Sequence, residues 1–173
     1  MIRSRLAALA LAFAVPAASA AAGDAPAAPG PDARFVAQCL DVHLPRGAAA
    51  AEARCVGILS LSCMNRPEGE TTIGQSACLL REAAAWETLM HVSLEALSAR
   101  VAARDAAVAP KGDASVLLVR AQEAWADYAE AECGYAYALW GEGSFRQVAG
   151  ADCRMNVLAR RAIQLRAQIG FES

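Results

Sequence analysis

The sequence offers few residues for catalysis or metal binding. Only two histidines, His43 and His91, occur in the 173 residues. Glu87, His91 and Glu95 are spaced four residues apart, which puts them on one face of a helix, where they could hold a divalent cation. A metal site usually needs a further ligand from another element. We therefore interpret the three residues as a solvated helix face and predict no metal ion and no cofactor.

Motifs of hydrolytic enzymes are missing as well, because neither G-x-S-x-G nor S-x-x-K occurs. The segment Gly141-Glu142-Gly143-Ser144 resembles part of a phosphate loop, but no lysine follows it. We interpret it as a helix stop with Ser144 as the cap of the next helix. Glu130 and Glu132 point in different directions on one helix, so they do not form a glycosidase pair. We expect no catalytic residue and no enzyme activity.

An acidic series offers a physical basis for binding a basic protein. Glu123, Asp127 and Glu130, with Glu132 close by, lie on one predicted helix. Such a series would attract a basic protein, mainly by raising the association rate. The alternative is internal neutralisation by arginines of the last helix, which are Arg154, Arg160, Arg161 and Arg166.

Two aromatic residues share the helix with these acids. Trp125 and Tyr128 are three residues apart and would form either a ligand-stacking patch or part of the core. We predict that they belong to the core, and that Gln122 bonds to backbone or to a neighbouring helix.

Six cysteines follow residue 20, and their even number predicts a disulfide framework in an oxidising compartment. No C-x-x-C motif occurs, so zinc binding and thiol redox catalysis are not expected. Six cysteines allow fifteen connectivities. We favour sequential neighbours, because each bridge then closes a short segment between consecutive elements. The predicted pairs are Cys39–Cys55, Cys63–Cys78 and Cys133–Cys153.

The elements that carry these residues are predicted to be helices. Alanine, the best helix former, supplies 44 of the 173 residues, and no strand-type alternation of useful length occurs. We predict an all-α fold with two long antiparallel helices joined at residues 108–113, a C-terminal helix packed on them and a small N-terminal helical pair.

The predicted helix bounds follow breakers and apolar periodicity. A helix from Asp32 ends at Pro45, a second spans 48–63, and a capping box at Thr72–Gln75 opens a helix that reaches Ala107. A further helix spans 114–140, and its predicted core face consists of Leu117, Ala121, Trp125, Tyr128, Tyr135 and Leu139.

The first twenty residues match a cleavable export signal. Arg3 and Arg5 precede ten apolar residues, and Ala18-Ser19-Ala20 fits the cleavage pattern. The alternative, a membrane anchor, needs about 20 apolar residues. A lipoprotein needs a cysteine at the cleavage point, whereas the first one is Cys39. We predict a periplasmic or secreted protein with residues 21–31 as a flexible linker.

The charge balance excludes one further class of protein. The chain has 16 basic and 18 acidic residues, and loss of Arg3 and Arg5 leaves 14 against 18, a net charge of −4. This excludes a basic nucleic-acid binder. No apolar stretch after residue 20 is long enough to span a membrane.

From Cys63 to Leu165 the chain resembles the lysozyme inhibitor LprI-like family of bacterial envelope proteins. The resemblance rests on the cysteine pattern, on a helix reading Ala121-Gln122-Glu123-Ala124-Trp125-Ala126-Asp127-Tyr128, and on a glycine-serine turn. The helix after Cys78 continues the motif with Glu82 and Trp86. The further matching motif positions are Gln122, Trp125, Tyr128, Gly143, Ser144, Arg161 and Leu165. Ala129-Glu130 replaces the usual Arg-Asp pair, so a family salt bridge through that arginine is absent or rebuilt.

The resemblance implies a helical domain over residues 63–173, preceded by an N-terminal helical extension over 32–62. It also implies a non-catalytic binding protein whose partner is lysozyme or another envelope protein. Animal-type lysozymes are strongly basic, which fits Glu123, Asp127 and Glu130 as partner-binding residues. The alternative is a structural or interaction module of the envelope that has no lysozyme target.

Overall fold

A computed structural model describes residues 28–108 and 113–171, which contain helices, turns and no strand. The all-α prediction is confirmed. Two short 3₁₀ helices, Leu44–Arg46 and Pro67–Gly69, accompany the α-helices. The six α-helices are α1 (Pro31–His43), α2 (Ala48–Cys55), α3 (Ser60–Met64), α4 (Thr72–Ala107), α5 (Ala114–Ala138) and α6 (Phe145–Phe171).

The three long helices form an up-down-up arrangement. Ser76 Oγ donates to the carbonyl of Gln147, and Arg100 donates to the carbonyl of Ile169 at the other end, so α4 and α6 run parallel. They form the most extensive contact among the described elements. Helix α5 runs antiparallel to both and packs mainly on α6. The α4–α5 hairpin exists as predicted, but the principal core lies between α4 and α6.

The N-terminal helices share this core. Val36 and Leu40 of α1, Trp86 of α4 and Leu165 of α6 are fully buried in one apolar cluster. Two exposed ion pairs cross the same boundary: Arg81 Nε lies 2.7 Å from Asp32, and Arg160 Nε lies 2.7 Å from Glu52. The hydrogen bonds from Arg81 lower the pKa of Asp32. Arg166 pairs with Asp41 in the same way.

The structure joins the cysteines as sequential neighbours. Bridges form between Cys39 and Cys55, Cys63 and Cys78, and Cys133 and Cys153, with Cα–Cα distances of 5.8, 5.6 and 5.3 Å. No cysteine is free in the described residues. These are the pairs predicted from spacing, and each ties one helix to an adjacent element.

The predicted continuous helix over 48–63 is wrong. Helix α2 ends at Cys55 and α3 begins at Ser60. Gly57 adopts a φ of 89°, which L side chains rarely reach. The backbone N–H groups of Gly57, Leu59 and Ser60 donate to the carboxylate of Glu82 at 2.7, 3.0 and 2.7 Å. The break therefore exchanges intrahelical hydrogen bonds for bonds to one buried side chain.

The capping box predicted at Thr72 is also wrong, by one residue. The N-cap of α4 is Thr71, whose Oγ1 accepts the N–H of Gly74 at 3.0 Å. A Cβ atom at Gly74 would overlap the carbonyl oxygen of Glu68. This close approach of the preceding 3₁₀ turn requires glycine at the third helical position, so no glutamine completes a box there.

The predicted signal peptide falls outside the described residues. None of the helices within 28–108 and 113–171 is long and apolar enough to cross a bilayer.

Candidate binding surface

Helix α5 is the most exposed of the three long helices. None of the residues from Ala114 to Ala138 is buried. Its first turn is fixed by Asp105 at the end of α4, which accepts the Ser115 N–H at 2.8 Å and the Ser115 hydroxyl at 2.6 Å. These bonds lower the pKa of Asp105. The other end is tied to α6 by Cys133–Cys153. Helix α5 is thus an exposed helix that is fixed to its neighbours at both ends.

The inner face of α5 joins its neighbours through a small polar network. Gln122 Oε1 accepts a hydrogen bond from Arg161 Nε of α6 at 2.9 Å, and its amide nitrogen lies 3.7 Å from Met90 Sδ of α4. The Arg161 guanidinium stands 5.9 Å from the centre of the Trp125 ring and also donates to Gln164. Burial lowers the pKa of Arg161. Gln122 therefore bonds to a neighbouring helix, as its place beside Trp125 predicts.

A second face of α5 is acidic and open. Glu123, Asp127 and Glu130, at i, i+4 and i+7, are exposed and take part in no ion pair among the described residues. The predicted alternative, neutralisation by the arginines of α6, is wrong. Arg154 pairs with Glu87 at 3.1 Å, Arg160 with Glu52, Arg166 with Asp41, and Arg161 bonds to glutamines. The acidic face is therefore exposed to solvent.

A third face of α5 is apolar and also exposed, although the sequence places it in the core. Tyr128 is 56% exposed, Leu117 58%, Tyr135 62% and Leu139 64%. Trp125 is half-buried, so the predicted core position holds in part for Trp125 and fails for Tyr128. The helix carries two apolar faces, and the one with Leu118, Trp125 and Ala129 points inward. Periodicity alone does not distinguish between them.

The family model described as lysozyme inhibitor LprI matches residues 63–165. This range covers more than half of the chain. The chain belongs to the lysozyme inhibitor LprI family. No curated protein and no solved structure matches it.

Several positions of the LprI motif have structural surroundings that explain their residue types. Trp86 and Leu165 are fully buried between α4 and α6. Gly143 closes the α5–α6 turn, where its N–H bonds to the carbonyl of Trp140 at 3.0 Å. A Cβ at Gly143 would come within 3.1 Å of that oxygen. Ser144 directly precedes α6, and its carbonyl accepts the N–H of Gln147.

Glu82 is the LprI motif residue whose role the sequence does not reveal. Its side chain is fully buried and accepts four hydrogen bonds, three from backbone and one from Trp86 Nε1 at 2.9 Å. The available signal was a charged residue between Leu79, Ala83 and Trp86 on an apolar face. Its three backbone donors lie more than twenty residues away, where the sequence predicts a helix without free N–H groups.

The helix face with Glu87, His91 and Glu95 does not form a set of metal ligands in the described structure. The described residues contain no group of three or more His, Cys, Asp or Glu side chains placed to hold a metal ion. Glu87 is engaged by Arg154, while His91 and Glu95 are exposed. His91 and Glu87 instead line a groove of about 580 Å³ between α4, α5 and α6, with Trp125 and Glu130 on its α5 side.

Proposed function

We propose that the protein is an exported lysozyme inhibitor of the LprI family that contacts its target through the acidic face of α5. The observation that carries the proposal is that Glu123, Asp127 and Glu130 are exposed, while arginines of α6 form ion pairs with other acids. Family membership names lysozyme as the target class.

Electrostatic attraction supports this arrangement. The chain without residues 1–20 has 14 basic and 18 acidic residues, a net charge of −4. A basic lysozyme is drawn to such a surface, and the attraction acts mainly on the association rate. The three acids lie on adjacent turns of one helix, which concentrates this charge, and none of them forms an ion pair among the described residues. Disulfides, which persist in oxidising compartments, suit a protein exported to where lysozyme acts.

Charge reversal of the acidic face tests the proposal. We expect the variant E123K/D127K/E130K to lose about tenfold to a hundredfold in inhibitory potency, because each rim charge contributes on the order of 0.5–1 kcal/mol. The measurement is lysis of bacterial cells by lysozyme at increasing inhibitor concentration, with the melting temperature recorded in parallel. Melting should barely change, since these acids make no ion pairs in the described part of the fold.

The matched control is E68K/E70K/E95K. These three glutamates are exposed and form no ion pair among the described residues, and the control changes the net charge equally. We expect the control to retain most of its potency. Equal loss in both variants would assign the effect to net charge and overturn the role of the acidic face. If the wild type neither inhibits nor binds lysozyme, the protein is instead an envelope interaction module without that target.

A further inference from the structure

The apolar face of α5 follows a regular seven-residue pattern. Positions separated by alternating steps of four and three residues are all exposed. We call this set the outer stripe; it consists of Leu117, Ala121, Ala124, Tyr128, Ala131, Tyr135 and Ala138. Such spacing keeps a seam of side chains along one side of a helix and is the pattern of coiled-coil contacts. The described part of the chain buries none of these residues.

We propose that the outer stripe packs against the outer stripe of a second copy of this chain, forming a two-fold symmetric dimer. The stripe is uncharged and combines four alanines with three large side chains, so one copy offers both the projections and the gaps that the other needs. A two-fold interface requires this self-complementarity, because the same patch must contact itself.

Side-chain size and charge favour an antiparallel pairing. In a parallel, in-register pair, Asp127 of one copy would lie beside Glu132 of the other, on both sides of the seam, and like charges would repel. In an antiparallel pair centred between residues 129 and 130, Tyr128 lies opposite Ala131 and Tyr135 lies opposite Ala124. Each tyrosine then meets an alanine of the second copy, and the two Asp127 side chains are kept apart.

The size of the stripe sets the strength of the contact. From residue 117 to residue 138 it is about 32 Å long, and at about 10 Å wide its footprint is roughly 300 Å² on each copy. Standard interfaces bury about 1,600 Å² in total. We therefore expect a reversible dimer whose population rises with concentration. Glu123 and Glu130 point away from the stripe and stay accessible in each copy, whereas Asp127 borders the stripe. The dimer does not depend on the proposed function.

Sedimentation velocity on the full mature protein, from micromolar to near-millimolar concentration, tests the dimer. We expect the weight-average mass of the wild type to approach twice that of the monomer, and Y128E/Y135E to remain monomeric throughout. The matched control is V116E/V119E, which places the same two charges on exposed valines of α5 outside the stripe. It should dimerise like the wild type. Circular dichroism shows whether each variant remains helical.

Photo-crosslinking tests the orientation. Replacement of Tyr135 by p-benzoylphenylalanine should crosslink to the region of residue 124 in the second copy, whereas crosslinks to the region of residue 135 would overturn the antiparallel arrangement. A wild type that stays monomeric at all concentrations refutes the dimer, and so does equal dissociation of both glutamate variants. If the wild type is monomeric and only Y128E/Y135E loses lysozyme inhibition, the stripe belongs to the lysozyme contact.

Discussion

At the residue scale, Glu82 shows how one side chain sets the path of a distant segment. Its carboxylate accepts the N–H groups of Gly57, Leu59 and Ser60 together with that of Trp86. The sequence identifies Glu82 within the family motif but not its role, because helix propensity treats residues 48–63 in isolation. Only the tertiary contact explains why this alanine-rich segment ends its helix at Cys55.

Replacement of Glu82 should therefore be among the most damaging single changes in the chain. We expect Glu82→Ala to lower the free energy of unfolding by about 3–5 kcal/mol, because four buried donors lose their acceptor. Glu82→Gln should cost less, since one oxygen remains, although its amide group faces N–H donors. Urea unfolding followed by circular dichroism measures both. The exposed Glu70→Ala serves as control, and a loss at Glu82 no larger than at Glu70 would contradict this role.

At the element scale, the sequence predicts where the helices begin and end, but not which face of a helix is buried. Apolar spacing, Gly141 and the predicted connection at residues 108–113 mark α5 within two residues of its observed bounds. Which face of α5 turns inward depends on how α4 and α6 pack on each other, and this information is spread over three elements. Tyr128, three residues from the half-buried Trp125, is consequently exposed.

The Cys133–Cys153 bridge should matter more to α5 than to the rest of the fold. Removing a bridge that closes a 20-residue segment costs about 3 kcal/mol through the entropy of the unfolded chain. Because α5 has no buried residue, we expect C133A/C153A also to raise amide hydrogen exchange selectively in residues 114–138. The variant C39A/C55A, which opens a 16-residue segment, should lose similar stability without this local effect. If amide hydrogen exchange in residues 114–138 rises no more than elsewhere in the chain in both variants, packing alone holds α5 in place.

At the scale of the whole molecule, the segment 32–62 is built into the family domain. Its side chains Val36, Leu40 and Cys55 belong to the same buried cluster as Trp86, and three of its acids pair with arginines of α4 and α6. The family model begins at Cys63 and gives no sign of this dependence. Sequence periodicity predicts the helices of the segment, but not that they complete the core of the domain that follows.

A chain of residues 63–173 alone should accordingly fail to fold cooperatively. This fragment lacks residues 32–62 and therefore lacks all three backbone donors of Glu82. It also exposes the apolar surfaces of α4 and α6 on which α1 and α2 pack. A buried carboxylate without its partners costs several kcal/mol, which is comparable to the whole stability of a small domain. We expect urea unfolding of this fragment to be broad and weakly cooperative, whereas a chain that begins at residue 28 should unfold like the chain of residues 21–173. Glu82→Leu in the fragment separates the two causes, because it removes the unpaired carboxylate and leaves the apolar surfaces exposed. Recovery of a sharp transition would assign the defect to Glu82, and a fragment that already unfolds sharply would show that the family domain is complete without the extension.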